Sequence, residues 1–159
     1  MVAAPAGQAA SLQTDDLRIL GKALTFLEPP LTGQPTVAIV YRDGDPASRR
    51  DADTLAEHLG KIAVGGVPLT ARVVGPAALA AADFQLIITA GGADGKPVIA
   101  AAISHHALCV TADVDAVRAG DCTMAIRSAG KVEIFVNRDA ATRSGLGFAT
   151  AFRMMVHEQ

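Results

Sequence analysis

Phe84-Gln85-Leu86-Ile87-Ile88-Thr89-Ala90-Gly91-Gly92-Ala93-Asp94-Gly95-Lys96-Pro97 decides the fold of this chain. Phe84 to Thr89 is a short, nearly continuous apolar run, the pattern of a strand covered on both faces. A Gly-rich turn follows at once. Pro97 then opens a helix predicted to reach Ile103, since Pro is tolerated at a first helical position. Strand, glycine turn and helix in direct succession make one step of a parallel α/β sheet.

The same step recurs upstream. Thr36-Val37-Ala38-Ile39-Val40-Tyr41 is another continuous apolar run. Asp45 caps the helix that follows and Pro46 starts it. Ala52, Leu55, Ala56 and Leu59 supply its buried face, and Gly60 suits its end. Leu69 to Val74 reads as the next strand and Ala77 to Ala82 as a short helix. Nearer the start, Thr14 can cap a helix with Asp15 and Asp16 in its first turn. Leu17, Leu20, Leu24 and Leu27 make one face of it, and Pro29-Pro30 stops it.

Downstream, Ala107 to Thr111 is a further strand. A hairpin follows, with strands near 122–127 and 131–137, and Phe148 to Val156 reads as a closing helix. The expected fold is α/β: a single three-layer domain with a mostly parallel sheet and a C-terminal antiparallel hairpin. Residues 1–13 are expected to be a disordered leader remnant and 14–159 the domain. Met1 to Ser11 is rich in small residues, with no charged or strongly apolar leader region. It resembles the end of a signal peptide around its cleavage site. An exported protein and an ordinary cytosolic N-terminus both fit.

Composition narrows the function. The net charge is −2, and 50% of the residues are hydrophobic, which marks a folded rather than a disordered chain. Basic residues form no stripe, so a nucleic-acid partner is not expected. With 5 Phe, 1 Tyr and no Trp, stacking platforms for bases are scarce. No apolar run approaches the ~18 residues a membrane-spanning helix needs, so direct membrane insertion is not expected either.

In parallel sheets ligands bind at the C-terminal ends of strands. If a ligand binds, it is therefore expected near Thr89, Gly91, Gly92 and Asp94, with Arg42 and Asp43 contributing from the loop after the first long strand. The glycine loop is not a phosphate loop. That spacing requires Gly at position 90, where Ala90 stands, and Pro97 replaces the Ser or Thr that would ligate magnesium. A turn that simply needs glycine is the competing reading.

Cys109 falls in a strand and Cys122 at the start of the hairpin, and the two strands can be neighbours. In an oxidising compartment the pair would form a disulfide, and otherwise two buried thiols. Two cysteines alone do not make a zinc site. His105 and His106 are adjacent and point apart, so no joint metal site is expected. His58 and His157 read as surface residues. Asp113, Asp115 and Asp121 read as caps and turn formers, and Asn137 as a local backbone partner at a strand end. There is no Gly-x-Ser-x-Gly elbow, no His-Glu-x-x-His, and no carboxylate pair at acid–base spacing. No catalytic residues, cofactors or metal are expected.

The last third carries a resemblance. Cys122-Thr123-Met124-Ala125-Ile126-Arg127, Ser128-Ala129-Gly130-Lys131 and Val132-Glu133-Ile134-Phe135-Val136-Asn137 form the hairpin, and Asp139-Ala140-Ala141-Thr142-Arg143-Ser144-Gly145-Leu146 follows. This resembles the YfiR-like proteins, small periplasmic regulators of inner-membrane signalling enzymes. In them a Gly-rich approach leads to a strand ending in Asn, an Asp-Ala-Ala-x-x-x-Gly-Leu-like segment and a terminal helix. Lys22 to Pro29 is similar to the family's opening helix, and Val64-Gly65-Gly66-Val67-Pro68-Leu69 to its connector into the second strand. The likeness covers about residues 17 to 156. Pro29-Pro30 stands where the family often has Trp before Pro, and the best-known member has more cysteines.

The resemblance implies a non-enzymatic periplasmic regulator. It would dock on the periplasmic part of a membrane-bound signalling protein such as a diguanylate cyclase, with redox state or a small ligand changing the docking, and a homodimer is compatible with it. The alternative is a compact solute-binding module serving a transporter, and a third reading is a flavodoxin-like enzyme.

Overall fold

A computed structural model describes residues 10–61 and 68–159. Two sheets organise them. The larger has seven strands in the order β3-β2-β4-β5-β6-β7-β9, and the smaller pairs β1 with β8. The strands are β1 (Leu27–Glu28), β2 (Thr36–Val40), β3 (Thr70–Val74), β4 (Leu86–Thr89), β5 (Leu108–Thr111), β6 (Met124–Arg127), β7 (Glu133–Val136), β8 (Gly147–Phe148) and β9 (His157–Glu158). The helices are α1 (Thr14–Leu24), α2 (Pro46–Lys61), α3 (Pro76–Leu79), α4 (Lys96–His105), α5 (Val114–Arg118), α6 (Arg138–Arg143) and α7 (Thr150–Arg153).

β2 to β6 are all parallel, and the hairpin partner β7 runs antiparallel to β6. The expected α/β architecture is the one observed. Period-two alternation explains the three layers. Val37, Ile39, Leu86, Ile88, Leu108 and Val110 face one side, where they meet α1 and α2. Ala38, Val40, Ile87, Cys109 and Ala125 face the other, where they meet α3 to α6.

Local signals hold at several points. Asp45 Oδ1 accepts the amide N–H groups of Ala47 and Ser48 at 3.0 and 3.2 Å, capping α2 as its sequence predicts. Asn137 Oδ1 accepts from Ala140 N–H at 2.9 Å and caps α6. Its Nδ2 also donates to Val117 O at 2.8 Å, tying α5 to the hairpin's end. Asp113 caps α5. His105 and His106 diverge, as adjacency requires: one ring meets Ala80 O and the other Ser144 O.

Other elements differ from the sequence reading. The residue before α1 is Gln13, not Thr14, and Asp16 accepts its N–H at 2.7 Å. Leu27 is buried but lies beyond the helix, which ends at Leu24, well short of Pro29-Pro30. Leu27 instead pairs with Phe148, which converts the expected start of the closing helix into β8. Only Thr150–Arg153 of that helix remains, and the chain returns as β9 beside β7. Gly60 lies inside α2. His58 is half-buried, with Nδ1 3.3 Å from Thr14 Oγ1. The packed body also begins upstream of residue 14, because Leu12 is only 4% exposed. Residues 1–9 of the expected leader remnant and Val64 to Val67 of the expected connector lie outside the described residues.

Candidate functional site

The strand order changes direction between β2 and β4: β3 follows to one side of β2, and β5 and β6 extend to the other. Loops after β2 and β4 therefore open together on the C-terminal edge, the crevice where doubly wound sheets take ligands. Arg42 and Asp43 sit in the first loop with exposed side chains. The Arg42 backbone N–H donates to Ser48 Oγ at 2.8 Å. Gly91, Gly92 and Asp94 sit in the second loop, where Gly92 takes a φ of 82° that a side chain would strain.

Thr89 is buried, and its hydroxyl donates to Asp94 Oδ1 at 2.9 Å. Thr111 at the end of β5 donates to the other Asp94 oxygen at 3.1 Å, and itself accepts from Asp113 N–H at 3.0 Å. One carboxylate thus clasps the ends of two adjacent strands. Burial raises its pKa to about 6; the Thr89 and Thr111 hydroxyls oppose that shift and the charge of Asp113 adds to it. Gly91 N–H donates to Asp51 Oδ2 at 2.8 Å, and Asp51 Oδ1 accepts from Ser11 Oγ–H.

Asp51, Thr111 and Ser11 are the edge residues that sequence reasoning missed. Thr111 had a legible signal: Ile88 pairs with Val110, so Thr89 and Thr111 come next on adjacent strands, two hydroxyls ending two apolar runs. Asp51 and Ser11 had none, being 40 residues apart.

The cysteines are joined. Cys109 on β5 and Cys122, just before β6, form a disulfide with Cα atoms 5.2 Å apart, and both residues are fully buried on the α3–α6 side of the sheet. Val110 pairs with Met124 in parallel, which brings the two chains alongside. Such a bond is compatible with an extracytoplasmic location. No helix among the described residues is long and apolar enough to cross a membrane.

A second feature lies at the other end of the chain. Met154 and Met155, in the turn between α7 and β9, are 83% and 67% exposed. Just before them in the chain, Phe152 is buried and stacks on Phe26, with ring centroids 5.4 Å apart, and meets Phe148 at a tilt, 5.0 Å away. Glu158 on β9 bridges Arg138 at 3.2 Å and Arg153 at 3.0 Å, pinning the turn to α6. Beside it opens a cavity of about 290 Å³ with Val136, Leu146, Phe148 and Val156 among its walls. Two adjacent exposed methionines, next in sequence to this aromatic cluster, form an adaptable apolar contact surface.

No family model matches this chain. No curated protein matches it either. Among solved structures, a conserved domain protein from Vibrio cholerae O1 biovar El Tor str. N16961 is similar, with a TM-score of 0.55 and 14% sequence identity. The match covers 94% of this chain and 60% of that one, so the chain spans about three fifths of that protein's length. At this identity the likeness is one of fold.

Proposed function

We propose that this protein is a non-enzymatic periplasmic regulator that docks on the periplasmic part of a membrane-bound signalling protein of the diguanylate cyclase type. The observation that carries the reading is the exposed Met154–Met155 pair, adjacent apolar side chains of the kind that meet a protein partner. The YfiR-like pattern of residues 122–148 supports the same class. The strand-end loops add to it, because their hydroxyls and carboxylates are committed to one another in the Thr89–Asp94–Thr111 clasp.

Of the two modulators, a small ligand fits better than redox exchange. Thiol–disulfide exchange needs access to a sulfur, and both cysteines are fully buried, so an external thiol would reach them only after local opening. In this reading the disulfide is a staple that keeps the hairpin on the sheet.

A solute-binding module serving a transporter is the second reading, favoured by a cavity of about 510 Å³ over the ends of β5 and β6. Affinity capture from membranes of the source organism separates the two. Recovery of a cyclase or kinase supports the regulator, and recovery of a permease supports the solute-binding module.

A further inference from the structure

β3 is one end of the strand order, and β9, which follows the two methionines, is the other. Among the described residues β3 pairs only with β2, in parallel, with Thr36 beside Thr70 and Val40 beside Val74. Thr70 N–H donates to Pro35 O at 3.0 Å, so Thr70, Arg72 and Val74 turn their main-chain groups toward β2. Ala71 and Val73 turn theirs outward, and those N–H and C=O groups have no partner among the described residues. The strand's five residues include no Pro or Gly that would blunt this edge.

Beside this edge, on the α3 side of the sheet, runs an open groove of about 640 Å³. Val74 faces that side, and Arg72 shares its face by period two. Ala78, Ala81 and Ala82, in and just after α3, line the groove with them. Methyl groups reach too short a distance to cover the strand, and Arg72 stays exposed. Among the described residues Arg72 is the one charged residue lining the groove, no carboxylate lines it, and Arg72 has no ion-pair partner. The uncommitted charge here is positive and unopposed.

We propose that β3 is a docking edge for an extended, acidic segment of a partner protein. The segment adds a strand beside β3 and exchanges main-chain hydrogen bonds with Ala71 and Val73. It sets a carboxylate side chain against Arg72 and, two residues along, an apolar side chain against the alanines of the groove. A second copy of this chain is the poorer occupant. The antiparallel two-fold pairing that engages both outward residues places Ala71 opposite Val73 of the copy, and therefore Arg72 opposite Arg72. Like charges directly opposite oppose that pairing. One side chain thus turns away a copy and selects an acid. The edge and the methionine turn belong to opposite ends of the strand order, so this inference does not rest on the docking reading.

The test uses the full chain and two synthetic peptides of alternating Val and Thr, the central Val replaced by Glu in one and by Lys in the other. Titration followed by nuclear magnetic resonance should show the Glu peptide binding about five- to ten-fold more tightly than the Lys peptide. The Ala71 and Val73 amides should become protected from solvent exchange as it binds. Arg72→Glu, a change at an exposed side chain, should invert the preference. Ala71→Pro removes one outward N–H and none of the bonds to β2, and should weaken the Glu peptide about ten-fold while circular dichroism stays native. The Met154→Asp, Met155→Asp double variant should bind the Glu peptide as the parent does. Equal affinity for the two peptides, no binding of either at about 1 mM, or an Arg72→Glu variant that keeps the original preference would overturn the proposal. So would protection of Ala71 and Val73 that rises with protein concentration in the absence of peptide, which would make a second copy the occupant.

Discussion

Cys109 and Cys122 are bonded across two parallel neighbouring strands, with Cα atoms 5.2 Å apart and no exposed surface. The bond closes a loop of 13 residues' separation that contains α5. A crosslink of that span restricts the unfolded chain and contributes about 3 kcal/mol in the chain-entropy model. Cys122→Ser should therefore lower stability by about 2–4 kcal/mol under oxidising conditions. Denaturant unfolding should show the loss, and reductant should shrink the difference. Thiol titration of the unfolded, non-reduced protein should find none, and two thiols per chain would contradict the bond.

Asp94 makes stability depend on pH. Its folded pKa is about 6, above the ~3.9 of an unfolded Asp. Between those values the folded state binds a proton that the unfolded state does not, so this group's contribution falls as pH rises through about 6. The difference between pH 4 and pH 7.5 is at most about 3 kcal/mol. Asp94→Asn should flatten that dependence and leave the variant at least as stable as the parent at neutral pH. An unchanged slope in urea unfolding at the two pH values would refute the assignment.

Asn137 caps α6 and also holds Val117 O. Asn137→Ala removes the cap and one of the two hydrogen bonds that Val117 O accepts, the other coming from Gly120 N–H at 3.1 Å, and should cost about 1–3 kcal/mol. Asn137→Asp keeps the cap but cannot donate to Val117, so it should fall between the two. Thermal melts of the three proteins order them, and an Asp variant as weak as the Ala variant would show that the Val117 bond dominates.

Met154 and Met155 bury little, so Met154→Asp with Met155→Asp should change stability by less than about 0.5 kcal/mol. The same pair should abolish capture of the signalling partner from membranes. Native stability with undiminished capture of a cyclase or kinase would move the docking surface elsewhere.

The elements legible in the sequence were those whose signal is local. Strands β2, β4 and β5 announce themselves as apolar runs because both faces of each are covered. Asp45 was readable as a cap, and Asn137 as a local backbone partner, because their partners lie two or three residues away. The closing helix was misread for the complementary reason. Phe148 has a helix-like neighbourhood, but its backbone is claimed by Leu27 near the other end of the chain.

By itself, then, the sequence determined the α/β class, the apolar strands β2, β4 and β5, the C-terminal hairpin and the Asp45 cap, since each rests on periodicity and on short-range hydrogen bonding. It also placed two cysteines on strands that could be neighbours. Only the tertiary structure decided that β5 and β6 run parallel and side by side, which brings those sulfurs together. Only it set the Asp94 clasp, the Asp16–Ser128 bond across 112 residues, and which methionines stay exposed. The physical reason is that contacts between distant residues depend on strand register and on which face each residue takes. Those are settled by burial of the whole sheet, and no local spacing encodes them.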